Sequence, residues 1–210
     1  LTIIVPPPWQ LTGSGTILLY RFPPEWALGQ GWVPPELHNA FVGGVGAVVL
    51  ADYTASGVGP YREALFVPGQ FRVGGRLRSV ITSIYVSTQP SVDSGRANWS
   101  IPKQLAAFEP RPGGLAASLG GRPILEVEAE PFGPALPLDT AWSPVPVAFF
   151  QSLDGRRLVT RPAARGAIRL ARLRHAWADP AHFPDIAPFR PLVAVRATGF
   201  TLTFPVPEEA

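Results

Sequence analysis

Apolar positions along this chain recur with the period of strands rather than helices. The run Ile124-Leu-Glu-Val-Glu-Ala-Glu130 alternates strictly, so Leu125, Val127 and Ala129 face one side of an extended segment and Glu126, Glu128 and Glu130 the other. Residues 16–21 form a short apolar run suited to a buried strand. Residues 45–52 read as a central strand, with Gly43, Gly44 and Gly46 allowing close backbone approach. Further strands are expected at 64–67, 80–88, 145–151, 167–175 and 192–204, and residues 76–82 alternate in part, with one wet face. Leu153-Asp-Gly-Arg156 carries a hairpin signal. The stretch 23–35, with four prolines and two tryptophans, reads as an irregular covering loop. Gly95 and Pro102 bracket another loop, and residues 103–108 read as one or two helical turns with Pro102 at the first helical position.

These elements make a mainly β chain of largely antiparallel strands. No alternation of strand and helix with a period near thirty residues appears, which argues against a doubly wound fold. No repeat or long linker divides the sequence, so residues 1–210 are expected to form one domain. With 26 prolines among 210 residues, long helices would be broken repeatedly.

Composition narrows the function. Hydrophobic residues make up 46% and charged residues only 16%, with a mean hydropathy of +0.16. Such a chain packs a core and is neither a solvated tail nor a charged nucleic-acid arm. The net charge of +3 is small, and no nucleic-acid partner is expected. The absence of cysteine excludes disulfides, thiolate metal sites and cysteine nucleophiles, and fits a cytoplasmic protein. The longest apolar stretch, residues 41–51, holds three glycines and falls short of the roughly 18–20 residues that span a bilayer, so no membrane partner is expected either. No leader pattern is visible, and the lack of any methionine implies a processed, trimmed or alternatively initiated start.

Several site classes fall away on spacing. His38, His175 and His182 lie far apart and no pair has zinc-ligand spacing, so no metal is expected. Gly113-Gly114 and Gly120-Gly121 lack the Lys-Ser/Thr of a phosphate loop and read as turns. Arg156, Arg157, Arg161, Arg165, Arg169, Arg172 and Arg174 form a basic run, but Ile168, Leu170 and Leu173 interleave it as core and the Glu126, Glu128 and Glu130 stripe offers partners. A solvated, pairing face is the expected use.

One count stands apart. Seventeen of the 18 basic residues are arginine, and Lys103 is the only lysine. Coding bias accounts for arginine wherever a charge is enough. A guanidinium does not lose its proton in a protein, whereas an ammonium does, so a surviving lysine also fits a task that needs a neutral amine. A free lysine titrates near 10.4, which leaves about one in 2,500 as the amine at neutral pH. Full burial lowers a lysine by roughly 3–5 units. Such an amine attacks a ketone to form an imine, whose protonated form is an electron sink for breaking a neighbouring bond.

Gly95-Arg96 followed by Pro102-Lys103 resembles the segment of the acetoacetate decarboxylase family in which the lysine after proline forms the Schiff base. Ser56-Gly-Val-Gly-Pro-Tyr61-Arg-Glu63 is similar to that family's Ser-Gly-x-Gly-x-Tyr-x-Glu stretch, whose glutamate lines the catalytic pocket. Leu153-Asp-Gly-Arg156, Arg174-His-Ala-Trp177 and the closing apolar strand have counterparts in order, so the resemblance covers about residues 15–206.

The resemblance implies two curved antiparallel sheets forming a cone-like barrel with short peripheral helices, a closed apolar cavity, and a homo-oligomer of two or more chains. It implies a lyase that decarboxylates a small keto acid through an imine on Lys103, with no cofactor. Glu63 would transfer protons, Gln104, Tyr61 and Trp99 would line the substrate pocket, and Arg96 would tie the loop before the lysine.

Four departures from the pattern stand out. Gln104 replaces a second lysine and supplies no repelling charge, which leaves desolvation as the device that would free the amine. Ala97 replaces the glutamate of Gly-Arg-Glu. A second pocket glutamate falls at Val48, and the arginine that meets the substrate carboxylate falls near Gly13. These differences also admit an aldolase or dehydratase using the same imine, or a barrel that only binds a small ligand.

Overall fold

The computed structural model describes residues 4–142 and 147–210. In chain order the strands are β1 (Trp9–Tyr20), β2 (Phe41–Gly43), β3 (Gly46–Ala55), β4 (Tyr61–Val67), β5 (Gln70–Val73), β6 (Arg76–Ser79), β7 (Ser83–Val86), β8 (Gln104–Leu105) and β9 (Ala107–Arg111). They continue with β10 (Gly114–Leu119), β11 (Arg122–Asp139), β12 (Phe149–Leu153), β13 (Arg156–Thr160), β14 (Ala163–Ala178), β15 (Val193–Phe204) and β16 (Glu208–Glu209). Two α-helices, α1 (Pro24–Gln30) and α2 (Gln89–Trp99), lie between strands. A ten-stranded sheet has the order β8-β7-β4-β3-β1-β15-β14-β11-β10-β9, and a six-stranded sheet the order β16-β13-β12-β6-β5-β2. The architecture is mainly β, as the strand periodicity implies, and its two curved sheets with small helices are those that the resemblance implies.

The central strands are apolar on both faces, and each face has its own destination. From β1, β3 and β4, Leu18, Tyr20, Val48, Leu50, Ala64 and Phe66 enter one core. Leu115, Leu125 and Val127 from β10 and β11 enter the same core, so the large sheet curls around it. The opposite residues of these strands, among them Ile17, Leu19, Ala47, Val49, Leu65 and Val67, line a cavity that the smaller sheet closes with Gln70, Ser79 and Phe149. Burial on both sides explains why β1 and β3 read as continuous apolar runs rather than alternations.

Leu125, Val127 and Ala129 are buried while Glu130 on the other face is exposed. Asp154-Gly155 makes the β12–β13 turn with φ of 52° and 78°, the paired positive values that a tight hairpin turn requires. Pairing is antiparallel except for β7–β8 and the single β12–β6 contact. The expected strand at 145–151 begins at Phe149, and its first two residues lie outside the described ones.

Two local expectations are corrected. The 23–35 stretch is helical over α1, with Pro24 in the first turn, where a missing N–H is harmless. Trp26 packs there on Phe22 and Phe189. Residues 103–108 form no helix: Gln104 and Leu105 pair in parallel with Tyr85 and Val86. The helix is α2, just upstream; it runs through Gly95 and stops at Ser100, whose φ of 54° is left-handed.

Candidate functional site

Strand alternation on β4 sends Tyr61 and Glu63 to the cavity face with Leu65 and Val67. Register places Ala51 opposite Glu63 and Tyr53 opposite Tyr61 on β3. Lys103 arrives from the other side, on the short link after α2, where its amide donates to the Ile101 carbonyl at 2.8 Å. Arg96 Nε donates to the Lys103 carbonyl at 2.9 Å, fixing that link to the helix. The lysine stem then crosses α2 at Gly95. A Cβ there would lie 2.6 Å from Lys103 Cδ and 2.9 Å from Cε, so the helix is bare where the side chain passes.

The result is a buried ion pair. Lys103 is 4% exposed and Glu63 6%, and Nζ lies 2.9 Å from Glu63 Oε2. Nζ also donates to Ser91 Oγ at 3.1 Å and, more weakly, to the Tyr61 hydroxyl at 3.4 Å. All three ammonium protons therefore have acceptors. Tyr53 donates to Glu63 Oε1 at 3.4 Å and Tyr61 to Oε2 at 3.5 Å. Burial first, and then the Glu63 charge, push both phenols well above the ordinary tyrosine value, so they stay protonated donors.

The cavity beside this pair is about 490 Å³. Trp99 forms part of its wall, held by a 2.7 Å bond from Nε1 to the Pro205 carbonyl and by edge contacts with Trp9 and Phe204. Among the described residues that line it, Lys103 is the one cation and Glu63 the one anion.

The structure thus brings together Lys103, Glu63, Tyr61 and Trp99, with Arg96 just behind them. Gln104 does not join them. It is exposed on β8, because successive side chains of extended backbone point to opposite sides and Lys103 takes the inward one. Val48 faces the packed core rather than the cavity, and a Cβ at Gly13 would lie 2.2 Å from the Asp52 carbonyl oxygen, so neither position offers a side chain to the site. Sequence reasoning missed Ser91 and Tyr53. The β3–β4 hairpin symmetry, which sets Tyr53 against Tyr61, was a usable signal for the second; nothing in the sequence marks Ser91.

The arginine run is engaged elsewhere. Arg165 pairs with Asp139 at 3.0 Å, Arg174 with Glu130 and Arg161 with Glu208, Arg172 lies 4.8 Å over the Phe132 ring, and Arg169 bonds the Gly133 carbonyl. Among the described residues, no group of three or more His, Asp or Glu side chains could hold a metal ion, and no helix is long and apolar enough to cross a membrane.

No protein-family model matches the chain, and no curated protein matches its sequence. Solved structures do. The enduracididine biosynthesis enzyme MppR, complexed with the condensation product of pyruvate and imidazole 4-carboxaldehyde, superposes with a TM-score of 0.69 at 18% identity, over 98% of this chain and 90% of that one. Acetoacetate decarboxylase from Legionella pneumophila gives a TM-score of 0.68 at 19% identity, over 98% and 88%. This chain has the acetoacetate decarboxylase fold. An acetoacetate decarboxylase-like enzyme from Sphingomonas wittichii RW1 matches all of this chain and 94% of its own at 14% identity, with a TM-score of 0.64. The acetoacetate decarboxylase fold accounts for the two curved sheets.

Proposed function

We propose that this protein is an imine-forming lyase that acts on a carbonyl compound through Lys103. One observation carries the reading: the chain's only lysine is buried at the wall of an apolar cavity with its Nζ 2.9 Å from a buried carboxylate. A proton passes from Nζ to Glu63 along that bond, and the neutral amine adds to the carbonyl carbon. Glu63 returns the proton to the departing hydroxyl, water leaves, and a protonated imine remains on Lys103. A bond beside the former carbonyl carbon breaks and its electrons flow to the imine nitrogen as an enamine forms; Glu63 then takes up a proton from solvent and delivers it to the carbon. Hydrolysis frees the product and the amine. Ser91 and Tyr61 hold Nζ, while Tyr53 and Tyr61 hold the carboxylate.

Two bonds are candidates for the break. Decarboxylation of a small keto acid releases carbon dioxide and agrees with the named activity of one structural neighbour, the Legionella pneumophila acetoacetate decarboxylase. Aldol cleavage or dehydration is favoured by a separate observation, the lack of a second cation among the described lining residues to hold a substrate carboxylate.

Borohydride added with acetoacetate, pyruvate or a neutral ketone should leave a reduced adduct on the Lys103 peptide, read by mass. Lys103→Arg keeps the charge without the removable proton and should give no adduct. Full turnover in that variant would refute the imine. Carbon dioxide release then separates the two bond-breaking steps.

A further inference from the structure

The cavity has two polar ends and an apolar body. Glu63, Lys103, Tyr61 and Tyr53 form one end. Along β4 the wall continues through Leu65 to Val67, a path of about 13 Å from Glu63 at the strand rise of about 3.3 Å per residue. Ala51 and Ala47 follow in register on β3, and Ile17 and Leu19 on β1. At the far end the smaller sheet supplies Gln70 and Ser79. Gln70 is 8% exposed; its Nε2 donates to Ser79 Oγ at 3.0 Å, and its Oε1 has no partner. A buried amide end without a partner keeps its full desolvation penalty, and Gln70 lines the cavity that would hold a ligand.

We propose that the carbonyl compound taken by Lys103 is an elongated, uncharged, largely apolar ketone or aldehyde with a hydroxyl at the end remote from its carbonyl. Three features point to it. The volume of about 490 Å³ lies within the range of pockets for drug-sized ligands rather than for a few-atom acid. The only lining cation among the described residues is already paired with Glu63, so a carboxylate would enter an apolar space without a counter-charge. A hydroxyl both donates and accepts, so it satisfies the free end of the Gln70 amide. The carbonyl end of this assignment rests on the imine reading above; the binding of the chain and of its hydroxyl does not.

The test is equilibrium binding by calorimetry, without borohydride, to the intact chain. Methyl ketones from acetone to 2-undecanone should bind about fourfold more tightly for each added methylene, the fold-change that corresponds to about 0.8 kcal/mol per buried CH₂. Acetoacetate should bind more weakly than 2-heptanone. A terminal hydroxyl, as in 11-hydroxy-2-undecanone, should tighten binding about fivefold over the parent ketone, and Gln70→Leu should remove that preference while keeping the dependence on length. Affinity independent of chain length, or acetoacetate binding tighter than 2-heptanone, overturns the substrate class. A hydroxyl that brings no gain in the wild-type chain overturns the remote contact, whether or not Gln70→Leu folds. Adduct formation is scored separately. Length-dependent binding without a trapped adduct refutes the imine and leaves this inference standing; a trapped pyruvate adduct with no length dependence does the reverse.

Discussion

Removing one member of the Lys103–Glu63 pair should damage the fold far more than removing both. At 2.9 Å and an effective dielectric of about 20, the two charges attract by about 6 kcal/mol. Taking each ion out of water costs several kcal/mol, so the intact pair is close to neutral for stability. Glu63→Gln leaves a buried ammonium facing a neutral amide, and Lys103→Met leaves a buried carboxylate with only phenols as partners. Each should destabilise by about 3–5 kcal/mol, the cost of an orphaned buried charge. For a chain of this length that is a fall in melting temperature of about 10 °C. The double variant Glu63→Leu/Lys103→Met replaces the pair with apolar groups and should return to the wild-type midpoint or exceed it, while giving no borohydride adduct. Urea denaturation of the four proteins, compared at constant m-value, reads the cycle. Single variants that cost under about 1 kcal/mol, as exposed pairs do, would refute the reasoning, and so would a double variant less stable than both singles.

Four further outcomes follow from the same geometry. Gly95→Ala should push the Lys103 stem aside and slow adduct formation on the order of 10²-fold, the effect of about 1 Å of misplacement; urea stability should fall, because displacing the stem disturbs a buried ion pair by more than the roughly 0.5–1 kcal/mol that alanine adds to a helix. Ala47→Leu fills the remote half of the cavity and should raise stability by about 0.5–2 kcal/mol while abolishing 2-undecanone binding and sparing the pyruvate adduct. Gln104→Ala should leave both adduct yield and urea midpoint unchanged, because the side chain is exposed on β8. All four tyrosines, Tyr20, Tyr53, Tyr61 and Tyr85, have values raised chiefly by burial; the folded chain therefore holds its phenolic protons above pH 10, where the unfolded chain releases them, so stability is full below about pH 10 and declines as pH climbs beyond it. Phenolate absorbance should then appear together with loss of tertiary structure, and a tyrosine that ionises near pH 10 in the folded chain would contradict this.

Much of the architecture was legible because its period is local. The 124–130 alternation and the Asp154-Gly155 turn depend on neighbouring residues alone. Lys103 was legible for a chemical reason, as the one side chain among eighteen basic ones that can give up its proton, whereas Glu63 was legible only through the resemblance of residues 56–63 to a family stretch. What failed depended on long-range pairing. The 103–108 segment has the composition of a helical turn, but Gln104 and Leu105 find backbone partners on β7 that no local pattern reveals. Ser91 is twelve residues upstream of Lys103 in the sequence, and only the turn after α2 brings their side chains within 3.1 Å. The cavity was expected from the resemblance alone, for a related reason: strands apolar on both faces do not say which face is filled.

Which face is filled follows from side-chain size. Toward the packed core, β1, β3 and β4 send Leu18, Tyr20, Leu50 and Phe66. Toward the cavity they send Gly15, Ala47 and Ala51 among larger groups, and β15 adds Ala197. At Gly15 a Cβ would lie 2.6 Å from the Leu50 carbonyl oxygen, so close strand approach and open volume arise from the same residue. A fold selected for stability alone would fill such a space, because unfilled volume forfeits dispersion contacts. It would also avoid a buried ion pair at the edge of that space, since apolar groups of equal size serve stability as well or better. The open volume costs stability and the ion pair adds none; the two adjoin each other, and each makes sense in the presence of a molecule that fills the apolar volume and reacts with the amine.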